Sequence, residues 1–447
     1  MSKRNFILLI IILIIIGAGV MWFLYFREGA GPTDTGEGTN FISRFNPFGN
    51  AKPKPVEIPP TDISGYQPNP TPTTDEKLKK VSSMPIAGFI VYNKERLKDV
   101  PVVAPETPSA ENPVTTPASP AKEVKPTAPA TEFMPSLRYV ARANGNIYQT
   151  FVDKIEERRF SGTVIPKVYE AFFGSKGDFV IMRYLKEDGR TIQTFVGNLP
   201  KEYLGADTTI DNEISGVFLP ENIQDMSMSP DASGLFYLFT SGDSMIGTTL
   251  TLLNDKKVQI FDSVFTEWLS SWPNAKTITL TTKPSFGIPG YIYMLDGTNG
   301  KGFKKVFGGI NGLTTLTSPD GKLVLYGNDS LSLSVYHMDT KVSDLLGIKT
   351  LPEKCVWGKI SDTVYCSMPQ TIPSGFYPDT WYQGEVSFSD QLWKIDIKTG
   401  NATMLIDPVT VNGGGEIDGT KLALDESENY LFFVNKKDSF LWEFNLK

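Results

Sequence analysis

The chain has 447 residues, with 43 Lys and Arg against 50 Asp and Glu, one histidine and a formal net charge of −7. That acidic balance, with no dense Lys/Arg block, excludes a broad cationic footprint for a phosphate backbone, so nucleic acid is not an expected partner. Aromatic residues make up 12% of the chain and Gly, Thr and Ser are frequent, which favours strands and turns over a helical bundle, so the expected class is all-β.

In chain order, the first predicted element is apolar. Phe6 to Phe26, FILLIIILIIIGAGVMWFLYF, carries no charge and as a helix is long enough to span a hydrocarbon core of roughly 30 Å. Lys3 and Arg4 precede it, whereas Arg27 is offset by Glu28, so the basic end is expected in the cytoplasm and everything downstream outside. The predicted anchor is residues 1–27. The alternative is a cleaved signal peptide processed near Gly17-Ala18-Gly19, although the apolar stretch outlasts an ordinary signal core.

Residues 28–80 are rich in Gly, Pro, Thr and Asn, with KPKPVEIPP and QPNPTPTTDE inside them. Such a segment buries too little apolar area to offset its ordering entropy, so a disordered spacer is expected. A second tract of the same composition runs from Val100 to Pro135. Between the two lies MPIAGFIVY, Met84 to Tyr92, read as the first strand of a folded domain over 81–447 that carries a disordered insertion at about 94–135. An apolar strand left alone between linkers would invite aggregation.

From Leu137 onward one pattern recurs. Five segments join an aromatic to a short polar and apolar alternation: NIYQTFVD, YIYMLD, SVYHMD, QLWKID and FLWEFN, with Tyr148, Tyr293, Tyr336, Trp393 and Trp442 in equivalent places. The period is about 40 to 55 residues, the mark of a repeat architecture. The strands before them, such as DFVIMRY, GLFYLFT, KLVLY and YLFFVN, are apolar without alternation, which implies packing on both faces, as when sheets stack radially like blades. SPDG at Ser318 to Gly321, with degenerate copies SPDASG, DESEN and SKGD, predicts a tight turn between an inner strand and each of these runs. Seven units are counted, with six or eight as alternatives. The last, from about residue 413, holds three clear strands, so residues near the N-terminal boundary are expected to supply its fourth.

Two further features lie in the sixth unit. Cys355 and Cys366 flank two short strands turning near Ile360 and Ser361, so their sulfurs can meet across a hairpin. A disulfide is the favoured reading and accords with an oxidising exterior. The alternative is a pair of buried thiols. With His337 the one imidazole and no other Cys, a zinc site lacks ligands, and no metal or other cofactor is expected. The second feature is the insertion MPQTIPSGFYPDTWYQGEVSF, residues 368–388. Its aromatics Phe376, Tyr377, Trp381 and Tyr382 are the candidate binding residues, because rings on a loop give contact area at low entropic cost. The alternative is that they fold back on the blade edge. Trp268 and Trp272 are read as inter-blade packing.

LTSPDGKLVLYGNDSLSLSVYHMD and DQLWKIDIKTG resemble the repeats of TolB-type, WD40-like β-propellers, with a Ser-Pro-Asp-Gly turn and an aromatic-x-x-Asp strand end. The resemblance implies a propeller that binds proteins or small ligands, often in the cell envelope, and carries no catalytic residue over. Gly-x-Ser-x-Gly is missing, and NGGGEIDG at 412–419 lacks the Gly-Lys-Ser/Thr of a phosphate loop. The expected function is therefore a membrane-anchored extracytoplasmic propeller that is not an enzyme and acts as a binding or scaffolding module for an envelope protein or small molecule. The rival is an envelope hydrolase acting on saccharide or peptide through carboxylates such as Asp379 and Glu385.

Overall fold

The continuous apolar strands become the second strands of a ring of sheets. The computed structural model describes residues 77–98, 130–154, 156–204 and 212–447, and these form seven four-stranded antiparallel sheets. Blade one comprises Ile86–Leu97, Thr131–Ala141, Ile147–Phe151 and Arg158–Ser161, and blade two Val168–Gly174, Phe179–Leu185, Ile192–Asn198 and Ser215–Phe218. Blade three runs through Asp225–Met228, Gly234–Ser241, Ser244–Thr251 and Lys256–Ser263, and blade four through Trp268–Asn274, Thr277–Thr282, Pro289–Asp296 and Lys304–Asn311. Blade five is Thr314–Thr317, Leu323–Gly327, Ser332–His337 and Ser343–Lys349, and blade six Cys355–Trp357, Thr363–Pro369, Asp390–Asp396 and Ala402–Ile406. Blade seven takes Gly419–Leu424, Tyr430–Asn435 and Leu441–Asn445, and its outer strand is Leu78–Lys80. The fold is an all-β, seven-bladed propeller.

The reason for the unbroken apolar runs is visible residue by residue. Val180 and Met182 pack in a cluster with Val140 and Ile147 of blade one, while Ile181 between them packs with Leu235 and Tyr237 of blade three. Phe236 and Leu238 then face Ile278 and Leu280 of blade four. Val364 and Cys366 face Leu325 and Val335, while Tyr365 joins Leu431 and Phe433. Phe432 and Val434 turn to Leu137 and Tyr139 of blade one, which closes the circle. Because successive side chains point to opposite faces, a strand wedged between two sheets has no face left for water. The joint between blades four and five is the thinnest, with Ile292, Val324 and Tyr336 buried. Hydroxyl pairs supplement it, Thr279 with Thr317 at 3.3 Å and Thr281 with Thr315 at 2.6 Å.

The turns repeat as a device. Ser318 Oγ donates to Asp320 Oδ1 at 2.6 Å and accepts the Leu323 N–H at 3.0 Å. Ser229 does the same with Asp231 at 2.6 Å and the Gly234 N–H at 2.8 Å. In blade seven Asp425 replaces the serine and accepts the Tyr430 N–H at 2.7 Å. Gly321 sits at φ +71°, a conformation glycine adopts without strain.

Three boundaries differ from expectation. The closing strand Leu78–Lys80 lies inside the stretch read as spacer, paired Leu78 to Phe444 and Lys80 to Trp442; Leu78 is buried against Trp442 and Phe444, which composition over a long window hides. The ladder of blade one continues to Leu97 opposite Thr131, so both ends of the expected insertion, 94–97 and 131–135, are strand. Pro135, which has no N–H to donate, is accommodated beyond the last ladder pair with the third strand, Ser136 to Phe151, where its carbonyl still accepts the Val152 N–H at 3.2 Å. The predicted membrane span Phe6–Phe26, the spacer up to residue 76 and residues 99–129 of the insertion lie outside the described residues. Among the described residues no helix is long and apolar enough to cross a membrane. Cys355 and Cys366 stand directly opposite and are joined by a disulfide.

Ring closure by so short a strand makes a sharp prediction. Leu78→Ala lowers unfolding stability by about 2–4 kcal/mol, the range of a buried leucine truncation. Val342→Ala, at an exposed position, changes it by less than about 0.5 kcal/mol. Urea unfolding of the two variants checks both.

Candidate functional site

The loops that join second to third strands, and those that lead into first strands, share one end of the ring. The insertion of blade six is such a second-to-third loop, between Thr363–Pro369 and Asp390–Asp396. It folds into a cap with a one-turn helix, Asp379–Tyr382. The helix carboxylate Asp379 accepts the Phe286 N–H at 2.5 Å and the Ser285 Oγ–H at 3.2 Å, so the cap reaches past blade five to the corresponding loop of blade four. On the other side Lys436 of blade seven donates to the Trp381 carbonyl and lies 4.3 Å over its ring.

The four predicted aromatics separate into two pairs. Tyr377 and Trp381 are buried at 4% and 5% exposure, packed with Leu331, Leu351 and Phe388. Phe376 and Tyr382 remain exposed, at 63% and 40%. Of the four candidate binding residues, Phe376 and Tyr382 thus reach solvent while Tyr377 and Trp381 fold back as packing; Trp381 and Tyr382, one residue apart in the helical turn, do not share a face. Phe376 instead pairs with Phe286, ring centroids 4.9 Å apart, and Ile288 beside it is exposed as well. Tyr382 donates to Glu353.

Beneath the cap is a charge cluster that sequence reasoning did not single out. Lys354, Asp390 and Asp418 are each 0% exposed. The Lys354 ammonium sits 2.7 Å from Asp390 Oδ2 and bonds Asp418 Oδ1. Asp418 also accepts the Trp381 indole N–H at 3.0 Å and the Phe388 N–H at 3.1 Å, and Asp390 accepts the Gly419 N–H at 2.8 Å. The Phe388 ring lies 5.1 Å from the ammonium. Burial pushes Asp390 up to about 6 despite Lys354. Burial acts on Asp418 in the same sense, but Lys354 and the donors from Phe388 and Trp381 outweigh it and hold that carboxyl below the usual range. Two carboxylates and one ammonium, sealed from water, tie blade six to blade seven and anchor the cap.

A second acidic group lies on the inner strands. Glu170 bonds Arg183 at 2.6 Å and lies 3.8 Å from Lys421. Asp225 accepts the Ser270 N–H at 2.5 Å and its hydroxyl at 2.7 Å, and burial pushes it up to about 6.

Other predicted residues have structural settings. His337 ends a third strand and bonds Asp344 at 2.9 Å. Trp268 packs edge-on to Phe261 and Tyr293, with Trp272 against the same cluster. Of the rival catalytic pair, Asp379 is committed to the loop of blade four, and Glu385 is exposed, its carboxylate making no hydrogen bond or ion pair among the described residues. Among the described residues no group of His, Cys, Asp and Glu is arranged to hold a metal ion.

Lys354, Asp390 and Asp418 stand in three loops and strand ends far apart in sequence, and no short-range spacing marks them. The one local signal was Asp418-Gly419 at the end of a Gly-rich loop, which reads as a turn.

Lys354→Met leaves two buried carboxylates without a counter-ion and lowers stability by roughly 3–5 kcal/mol, seen as a shift of the urea midpoint. Asp390 titrates near 3.8 when free and about 6 when folded, so its stabilising contribution is full below the free value and is lost as pH rises through the folded one. Asp418, held low, contributes in the opposite sense, above its free value. Stability of Asp390→Asn relative to the native chain therefore rises by up to about 3 kcal/mol between about pH 4 and about pH 7. A difference independent of pH would exclude Asp390 as the titrating group.

No family model matches the chain, and no curated protein matches it. Among solved structures, an oligogalacturonate lyase from Vibrio parahaemolyticus is similar at 9% identity over 70% of this chain and 86% of that one, with a TM-score of 0.49. An oligogalacturonate lyase in complex with manganese aligns at 10% identity over 70% and 86%, TM-score 0.44. TolB from Acinetobacter baumannii aligns at 11% identity over 58% of this chain and 59% of that one, TM-score 0.38. The fold and the blade count rest on the sheet topology of this chain itself.

Proposed function

We propose that this chain is a membrane-tethered, extracytoplasmic propeller that serves as a binding or scaffolding module of the cell envelope and engages a protein partner through its capped end. The observation that carries the binding role is the exposed Phe376–Phe286 ring pair with Ile288 beside it, mounted on loops that Asp379 locks together. Exposed aromatic anchors on a rigid support lose little entropy on docking. The tether and its orientation are supported by the uncharged stretch Phe6 to Phe26 with Lys3 and Arg4 before it. The disulfide accords with an oxidising compartment.

A hydrolase of the envelope is the second reading, and it is favoured by one feature. Asp225, raised to about 6 chiefly by burial, with Glu170 adding a smaller push, has the protonation range of a general acid. Against it, the convergent pair Asp390 and Asp418 is sealed and neutralised by Lys354. Saccharide or peptide hydrolysis abolished by Asp225→Asn would support the enzyme.

The full-length chain, purified in detergent and used to capture partners from envelope extract, distinguishes the readings. Phe286→Ser combined with Phe376→Ser lowers recovery of the specific partner by about tenfold or more while the thermal midpoint stays unchanged. Undiminished recovery with the double variant sinks the docking role of this face.

A further inference from the structure

Beside the cap, where blades seven, one and two meet, the same end of the ring opens into a cleft of about 780 Å³. Met84, Ala141 and Val168 supply apolar lining. Four cations line it, Arg142, Lys167, Lys436 and Lys437, against one carboxylate, Asp438. On a chain of net charge −7 this is a local reversal of sign in a concave place, where low-dielectric walls focus the field.

The cations are also under-neutralised. Lys437 is paired with Glu416 at 2.6 Å. The other three have no carboxylate within ion-pair distance among the described residues. Arg142 donates to the neutral Ser439 Oγ at 2.7 Å, and Lys436 meets only a carbonyl and the face of Trp381. Lys167 is exposed and makes no side-chain hydrogen bond among the described residues. By contrast Arg96, Arg138 and Arg183 all bond carboxylates. The cleft walls are preformed, because their loops satisfy their own backbone: Arg142 N–H to Pro85 at 3.0 Å, Gly145 N–H to Ala141 at 2.9 Å and Ser439 N–H to Asn435 at 2.7 Å.

We propose that this cleft is a binding site for a small anionic molecule, one carboxylate or phosphate group carried on an apolar body. The volume suits a small ligand rather than a macromolecule. The apolar lining takes the body, and the exposed Arg142 and Lys167 take the anionic group through charge-assisted hydrogen bonds. The site is separate from the Phe376–Phe286 surface, so it stands or falls independently of the docking role.

Isothermal titration of the full-length chain with benzoate, with phenyl phosphate and with neutral benzyl alcohol tests the assignment. The expected result is saturable, salt-sensitive binding of at least one of the two anions and none of the alcohol; the stronger anion identifies the head group. Arg142→Gln and Lys167→Gln each weaken that binding by about tenfold, whereas Lys276→Gln, in the hairpin of blade four, leaves it intact. Thermal midpoints of all three variants equal to the native one show that the loss is local. Absence of saturable binding by both anions, or binding indifferent to both cleft substitutions, overturns the proposal.

Discussion

Every other feature of this molecule depends on the second strand of each blade being walled in on both faces. Such strands as Phe179–Leu185, Gly234–Ser241 and Tyr430–Asn435 bury their even and odd residues in two different clusters. Each fully buried aliphatic or aromatic side chain contributes about 1.5–3 kcal/mol relative to exposure, but only if a neighbouring sheet is present on its side. No blade is therefore stable by itself, and the ring must close. That constraint explains why three residues, Leu78–Lys80, matter out of proportion to their length: they complete the outermost ladder of blade seven and place Leu78 over Trp442 and Phe444.

A ring of wedges leaves its loops free, and function is expected to collect there. The cap of blade six uses this freedom in two ways. Its inward residues, Tyr377 and Trp381, act as core for the end of the ring and help seal the Lys354–Asp390–Asp418 cluster. Its outward residue Phe376 joins Phe286 in solvent. The cap also runs across blade five, beside the joint with the fewest buried apolar residues and the most hydroxyl pairing. Asp379 thus reinforces with polar bonds a seam that apolar packing holds least well. The basic cleft on the other side of Lys436 belongs to the same end of the ring, so both exposed aromatics and unneutralised cations are gathered on one face.

Much of the architecture was legible because propeller repeats are local. The Ser-Pro-Asp-Gly turn, the apolar run and the aromatic strand end all lie within one unit, and the hydrogen bonds that define the turn, such as Ser318 to Leu323, span only a few residues. The disulfide was legible for the same reason, since Cys355 and Cys366 flank one hairpin. What was misjudged lies at the margins of composition. Lys94, Leu97 and Thr131 look like linker by their neighbours, yet the ladder that begins at Ile86 and Ala141 carries them along as strand.

The sequence by itself determined the class, the periodic unit, the turn chemistry and the reason why the sheets must be sandwiched, because each is set by side chains within a few residues of one another. Only the tertiary structure decided which aromatics of the insertion face inward, that Lys354 meets Asp390 and Asp418, and that Arg142, Lys167 and Lys436 share a cleft. Those arrangements arise where loops from different blades converge at one end of the ring. Convergence of that kind depends on ring closure and on strand register, and neither leaves a trace in local spacing.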